Sequence, residues 1–308
     1  MVRLLRRADV EDLVDLSAAI DCMERLYRDQ AAGGVSAEPP TTMRSDDAMM
    51  MVRSGGLAGQ HRLGFRISRA RGRGWALIWD SPAGELQAVV EYPFSELRVS
   101  ATVALAVDRL AQPDVRTIGV IGTGGIAWAS LAGVCAIRRP TEVRVYSRAD
   151  EHRSAFANRA EKELEIGVRP VDSASAAVEG ADVVLVATNG SQPVLEADWL
   201  APDCLVAGAG NRPELGPDVY RKASLVVTTS KVHDQNQGEW PLVSLIKGGE
   251  MSWDDVAELG DVVAGKRTRP AGLAVFREAQ GGFSDIALAH LATEKAAALG
   301  RGVNWELD

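Results

Sequence analysis

The stretch VRTIGVIGTGGIAWAS, from Val115 to Ser130, constrains this chain more than any other. Thr117 to Ile121 is a continuous apolar run, as a strand buried on both faces requires, and it stops at Gly122. Gly122-x-Gly124-x-x-Ala127 then leads into small residues at helical spacing. Strand, glycine turn and helix in that order form the cradle of a dinucleotide pyrophosphate. Gly122 permits the tight turn, Gly124 lets the backbone approach the phosphates, and Ala127 keeps the helix close to the strand. Thr123, Gly125 and Ile126 complete the turn, whose N–H groups meet the anion at the positive end of the helix. The next strand, Glu142 to Tyr146, follows about one βαβ unit later and gives the glycine pattern its context.

The end of that second strand separates the two nicotinamide dinucleotides. A carboxylate there accepts hydrogen bonds from the ribose hydroxyls of NAD and repels a 2′-phosphate. This chain carries Ser147 and Arg148 instead, with Asp150 further on, at the expected N-cap of the next helix. A hydroxyl and a forked guanidinium suit a phosphate, so NADPH is expected, with NADH the lesser candidate. The competing reading is that Arg148 is simply a solvated surface residue.

From Val115 onward, strands near 117–121, 142–146, 183–187, 204–208 and 224–228 alternate with helices, and 272–276 forms a further strand-like run. That alternation predicts an α/β protein with a Rossmann-type doubly wound parallel sheet over residues 114–276. Ala187, Thr188 and Asn189 end one buried strand and Gly208 another, at the edge where such sheets place ligands, so all four are assigned to the cofactor.

Residues 1–113 read differently. A strand at Val2–Leu5 precedes an amphipathic helix capped by Asp9 and running to about Gln30. Pro39-Pro40 opens a loop, strands follow from Ala48 to Val90 with a turn at Ser81–Gly84, and a helix runs from Phe94 to Leu110. Together with 277–308, including a closing helix from Asp285, they predict a discontinuous α+β substrate and dimerisation domain. Its sheet leaves a face that a second copy could cover, which makes a homodimer the expected assembly.

A net charge of −8 argues against nucleic acid or anionic membrane as a partner. Arg62, Arg66, Arg69, Arg71 and Arg73 cluster, but they alternate with apolar positions; a solvated strand face is the first reading and an anionic substrate the second. Cys22, Cys135 and Cys204 are scattered and the four histidines show no ligand spacing, so neither a disulfide frame nor a metal is expected. No leader or membrane-length apolar run is evident, and a soluble cytoplasmic protein is expected.

Taken in order, several segments carry a resemblance. They are DVEDLVDLSAAIDCMERLYRD, the loop with Pro39-Pro40, ALIWDSPAGELQAVV, SELRVSATVALAVDRLA, IGVIGTGGIA, GADVVLVATNGSQPVL, VAGAGNRPEL and VFREAQGGFSDIALAHLATEKAAALG. The chain resembles the ornithine cyclodeaminase/μ-crystallin family over nearly its whole length. That resemblance implies hydride exchange between nicotinamide and a carbon bearing both nitrogen and a carboxylate. It also implies a carboxylate clamp. Its third position falls on Arg98, its lysine position on Arg66, and its first position on Thr41, with Arg44 and Arg53 as neighbouring substitutes. Asn211 stands nearest the cyclodeaminase aspartate and cannot serve as a base, while Glu278 and Gln280 replace the family's Ser and Gly.

With both acid/base positions altered, reduction of an α-imino or cyclic imino acid that arrives already protonated loses least. Arg98 and Arg66 would hold the carboxylate of this small-molecule substrate by bidentate hydrogen bonds, with Arg44, Arg53 and Asn211 as further substrate contacts. Glu96, Tyr92 and His233 are the available proton donors; Asp285 reads as a helix cap and Trp128 as packing for the glycine turn. Two alternatives stand beside the reductase. One is an NAD(P)-dependent amino-acid dehydrogenase or cyclodeaminase, the other a non-catalytic NADPH-binding protein.

Overall fold

The computed structural model describes residues 1–46, 48–69, 74–210 and 213–306. The chain divides into two compact units, Met1–Arg98 with Gln280–Asp308, and Val99–Ala279. The composition shift places the boundary near Pro113, but the division falls inside the helix Ser95–Leu110. From Val99 onward this helix belongs to the second unit, where a Cβ on Gly133 would collide with the Ser100 carbonyl.

In the first unit the strands are β1 (Val2–Leu5), β2 (Val35–Ala37), β3 (Thr41–Ser45), β4 (Ala48–Leu57), β5 (Arg62–Arg69), β6 (Gly74–Asp80) and β7 (Glu85–Glu91). In the second they are β8 (Thr117–Ile121), β9 (Glu142–Tyr146), β10 (Val168–Pro170), β11 (Val183–Val186), β12 (Leu205–Gly208), β13 (Leu225–Thr228), β14 (Val256–Glu258) and β15 (Ala274–Arg277). β16 (Val303–Trp305) returns to the first unit. The helices, in order, are α1 (Arg7–Val10), α2 (Leu16–Ala31), α3 (Ser95–Leu110), α4 (Gly125–Ile137), α5 (Asp150–Leu164), α6 (Ala174–Val178), α7 (Pro217–Lys222), α8 (Lys231–Gln235), α9 (Pro241–Lys247), α10 (Leu259–Val263) and α11 (Gly282–Ala298).

The first unit's sheet runs β16-β1-β7-β6-β5-β4-β2, with β3 also paired to β4. Among the described residues, only β1 and β7 pair in parallel in it. Period-two patterning decides its faces: on β6, Ala76 and Ile78 are buried while Trp75 is 39% exposed. The helix α11 covers the inner face, and small residues bring it close. A Cβ on Gly55 would collide with the Phe283 backbone, and one on Gly64 would lie 2.9 Å from Ile286 Cδ1.

The N-terminal segment departs from a single helix capped by Asp9. Asp9 belongs to the short α1, where it accepts the Arg6 N–H at 2.8 Å. α2 starts afresh with Asp15 as its cap, accepting the Ala18 N–H at 2.8 Å. Such a cap contributes about 0.5–2 kcal/mol. β3 occupies part of the segment read as loop. Every one of its residues is exposed, so it carries no alternation from which a strand could be recognised.

The second unit's sheet, β10-β9-β8-β11-β12-β15-β13-β14, is parallel throughout. Its first five strands follow the Rossmann order, with the reversal of strand order between β8 and β11. Val184, Val186, Val206, Val226 and Val275 share one buried cluster with Leu195, Leu215 and Tyr220. That is why these strands read as unbroken apolar runs. The short edge strands β10 and β14 had no such signature.

Candidate functional site

Gly122 ends β8 at the switch point with φ +110, a conformation that glycine adopts readily, and donates its N–H to the Tyr146 carbonyl at 2.9 Å. A Cβ there would run into the Ala187 carbonyl of the neighbouring strand end. Gly124 serves a different purpose. Its φ of −80 suits any residue, but it is the exposed N-cap of α4, and a Cβ on it would meet nothing within 4 Å. The space above the helix N-terminus is therefore open to a phosphate. Thr123 and Ile126 are half-buried beside it, Gly125 is exposed, and Ala127 is buried against the sheet. Trp128 packs edge-on to Phe156 of α5, with the Arg159 guanidinium 3.8 Å from its ring centre, so it joins α4 to α5.

Beyond β9, Arg148 is exposed and Ser147 donates its hydroxyl to the Ala149 carbonyl at 3.1 Å. The cap of α5 is Ala149 and not Asp150. Asp150 instead binds Arg153 at 3.0 Å, as Asp172 does at 3.1 Å, and Arg153 also donates to the Ser147 carbonyl at 2.7 Å. The nearest carboxylate is thus occupied by a buried guanidinium that sequence reasoning had not singled out. A hydroxyl and an exposed guanidinium thus lie past the strand end, where the ribose of a bound dinucleotide would sit.

Ala187 and Thr188 continue β11, and Asn189 is exposed. The Thr188 hydroxyl accepts the Gly190 N–H at 3.3 Å, closing a turn. Gly208 is buried under Leu215, whose Cδ1 would lie 3.3 Å from a Cβ there, so its smallness serves packing. Asn211 lies outside the described residues, as do Arg71 and Arg73. His233, named as an available proton donor, sits on α8 with its ring buried and Nδ1 3.0 Å from the Ser230 hydroxyl.

The first unit assembles a charged cluster around Asp285. Arg53 on β4 and Arg66 on β5 are partners across the ladder. Arg66 Nη1 reaches Asp285 Oδ2 at 3.3 Å, and Arg98 Nε lies 3.4 Å from Asp285 Oδ1. Arg66 also donates to the Ser95 hydroxyl at 2.8 Å and stands over the Tyr92 ring, 4.7 Å from its centre. Arg53 donates to Gln280 Oε1 at 3.2 Å. Gln280 takes a left-handed φ of +59, the conformation for which glycine is the usual choice.

Asp285 is fully buried. Burial pushes its carboxyl upward, but Arg66, Arg98 and Arg53 more than reverse this and hold it below the ordinary range. Burial and then Asp285 push the Tyr92 phenol well above its usual value, so it keeps its proton. The Nε of Arg66 is buried and has no hydrogen-bond partner among the described residues.

Of the expected substrate contacts, this arrangement brings Arg53, Arg66 and Arg98 together. Arg44 does not join them: it is exposed on β3, opposite Met49. Thr41 is exposed on the same strand. Glu96 is exposed on the first turn of α3. Asp285 is not a helix cap, since Gly281 holds that position. It is the carboxylate that Arg66 and Arg98 share. Leu288 and Ala289, three and four residues on and therefore on the same helix face, were the apolar signal that a carboxylate at this position faces inward.

A glycine turn at the switch point of a parallel sheet defines the second unit as a dinucleotide-binding unit of the Rossmann class. The chain belongs to the ornithine cyclodeaminase/mu-crystallin family, whose profile matches residues 2–299. It is 27% identical over 249 residues to a Δ1-pyrroline-2-carboxylate reductase of Bacillus cereus, covering 78% of this chain and 76% of that one. It is 28% identical over 196 residues to the ketimine reductase mu-crystallin of Mus musculus, covering 62% and 59%. The structure of the Thermococcus litoralis Δ1-pyrroline-2-carboxylate reductase in complex with NADH and L-proline matches with a TM-score of 0.90. Its identity is 26%, over 99% of this chain and 100% of that one.

Proposed function

We propose that this protein is an oxidoreductase acting on C–N bonds, which reduces the C=N of an α-imino or cyclic imino acid with NADPH as the preferred donor. The observation that carries this reading is the buried cluster of Arg53, Arg66 and Arg98 about Asp285, with an Arg66 Nε donor left over for a ligand oxygen. Buried guanidiniums recognise a planar carboxylate by paired charge-assisted hydrogen bonds. The names of the B. cereus, M. musculus and T. litoralis relatives support the C=N assignment.

The bound reduced nicotinamide supplies the hydride. Arg66 and Arg98 hold the substrate carboxylate, and Asp285 fixes their orientation. A substrate that arrives as the iminium becomes the amine on receiving hydride, with no proton required from the chain. Of the three donors named from the sequence, only Tyr92 stands in the cluster, and its raised pKa suits it to hydrogen bonding and not to proton release. Ser147 and Arg148 support the preference for the phosphorylated dinucleotide.

A second copy of the chain is the proposed partner. Leu63, Phe65, Ile67, Trp75, Leu77 and Trp79 lie on the sheet face opposite α11, with Leu63 48% exposed. Trp75→Glu is expected to give a monomer in sedimentation equilibrium; a dimer of unchanged strength would remove this face from the assembly. The activity itself is tested by following NADPH oxidation with Δ1-pyrroline-2-carboxylate and open-chain imino acids. Turnover is expected. Tight NADPH binding without turnover on any of them would favour a cofactor-binding protein instead.

A further inference from the structure

Glu214 is 1% exposed and reaches the two loops that end β11 and β12. Its Oε1 accepts the Thr188 N–H, and its Oε2 accepts the Gly210 N–H at 2.9 Å. The approach is close enough that a Cβ on Gly210 would stand 2.5 Å from Glu214 Cδ. The same residue's carbonyl accepts the Val194 N–H at 3.0 Å, which ties its segment to the stretch following Thr188. Glu214 belongs to none of the cofactor or substrate contacts expected from the sequence.

Parallel sheets of this class take their ligand at the carboxyl ends of the strands beside the switch point, and β11 is the strand next to β8 there. We propose that Glu214 is a positioning residue for the reaction: its ionised carboxylate, bridging Thr188 and Gly210, sets the two loops against which the nicotinamide half of the dinucleotide rests. This rests on the dinucleotide-binding reading of the second unit. The chemistry discriminates sharply between protonation states. An ionised carboxylate accepts both N–H groups strongly, whereas a protonated one keeps a full acceptor only in its carbonyl oxygen and meets the other buried N–H with a weak hydroxyl acceptor that also carries its own proton.

The group is placed to titrate near neutrality. Burial pushes its carboxyl up to about 7, against the pull of the Thr188 and Gly210 N–H groups and of Arg277. Among the described residues, the charged and titratable groups facing it are Arg277 from β15, Asp234 from α8 and Tyr220 from α7. Arg277 is bound to Asp234 at 2.5 Å and stays charged, and burial pushes the Tyr220 phenol up and away from neutrality.

The test is the dissociation constant of NADH on the intact protein between pH 6 and 8.5, read by fluorescence. NADH is the probe because the 2′-phosphate of NADPH would add its own titration. If only the ionised form binds, affinity falls about tenfold from pH 8 to pH 6. Glu214→Gln is expected to bind more weakly at pH 8 and to lose that slope. Should this variant fail to fold, Gly210→Ala, which displaces the carboxylate, is expected to flatten the slope in its place. A flat wild-type profile overturns the proposal, as does a wild-type slope retained in either variant. Absence of binding of both NADH and NADPH at every pH would instead defeat the dinucleotide-binding reading itself.

Discussion

Replacing Asp285 with Asn keeps the size of the side chain and removes the negative charge that Arg66 and Arg98 share. Two guanidinium contacts depend on it, at 3.3 Å from Arg66 and 3.4 Å from Arg98, and the position is fully buried. Breaking a buried ion pair by neutralising one partner costs about 3–5 kcal/mol, because the remaining charge stays desolvated. Urea unfolding of Asp285→Asn at pH 7 is therefore expected to show a loss of that size. A carboxylate ligand should restore part of it, since a ligand at a hundred times its dissociation constant contributes about 2.7 kcal/mol to the folded state. The pH dependence has a definite sign. The folded-state pKa of Asp285 lies below its unfolded value, so its contribution is present above about pH 4 and fades as the carboxylate protonates below that. The gap between wild type and variant should narrow on acidification through that window. A variant within about 0.5 kcal/mol of wild type at pH 7, as for an ordinary surface substitution, would refute the cluster's dependence on this carboxylate.

Arg98→Ala removes a charged donor worth about 1.5–3 kcal/mol, so KM for the imino acid should rise roughly 10- to 150-fold; normal steady-state kinetics would take Arg98 out of the clamp. Arg148→Asp should weaken NADPH and favour NADH, and an unchanged ratio of the two dissociation constants would overturn the cofactor preference. Gly122→Ala places a Cβ against the Ala187 carbonyl at φ +110, so the variant should lose NADPH binding in calorimetry; wild-type affinity would count against this turn as the phosphate cradle.

Much of the second unit was legible because its strands are buried on both faces. Val183–Val186 and Leu205–Gly208 could be read as strands with no knowledge of their neighbours. The glycine turn was legible for the same local reason, and Arg98 through the resemblance. What escaped depended on contacts distant in sequence. Asp285 resembles a helix cap until Gly55 and Gly64 admit α11 against the sheet and carry it to Arg66, 219 residues away. Glu214 is one acidic residue among many until Thr188 and Gly210 meet it. Arg44 and Arg53 both lay near the first clamp position. Sequence could not separate them, because only the pairing of β4 with β5 turns Arg53 inward beside Arg66.

The place of β15 has a consequence for biogenesis. It lies between β12 and β13, so a strand made after both must enter the middle of a hydrogen-bonded ladder. On the ribosome, β12 and β13 would therefore wait with open edges until Arg277 emerges, and α11 comes later still. Non-local pairing of this kind slows folding and exposes edges to aggregation. Nascent chains arrested before that point should accordingly depend more on chaperones than chains released after it.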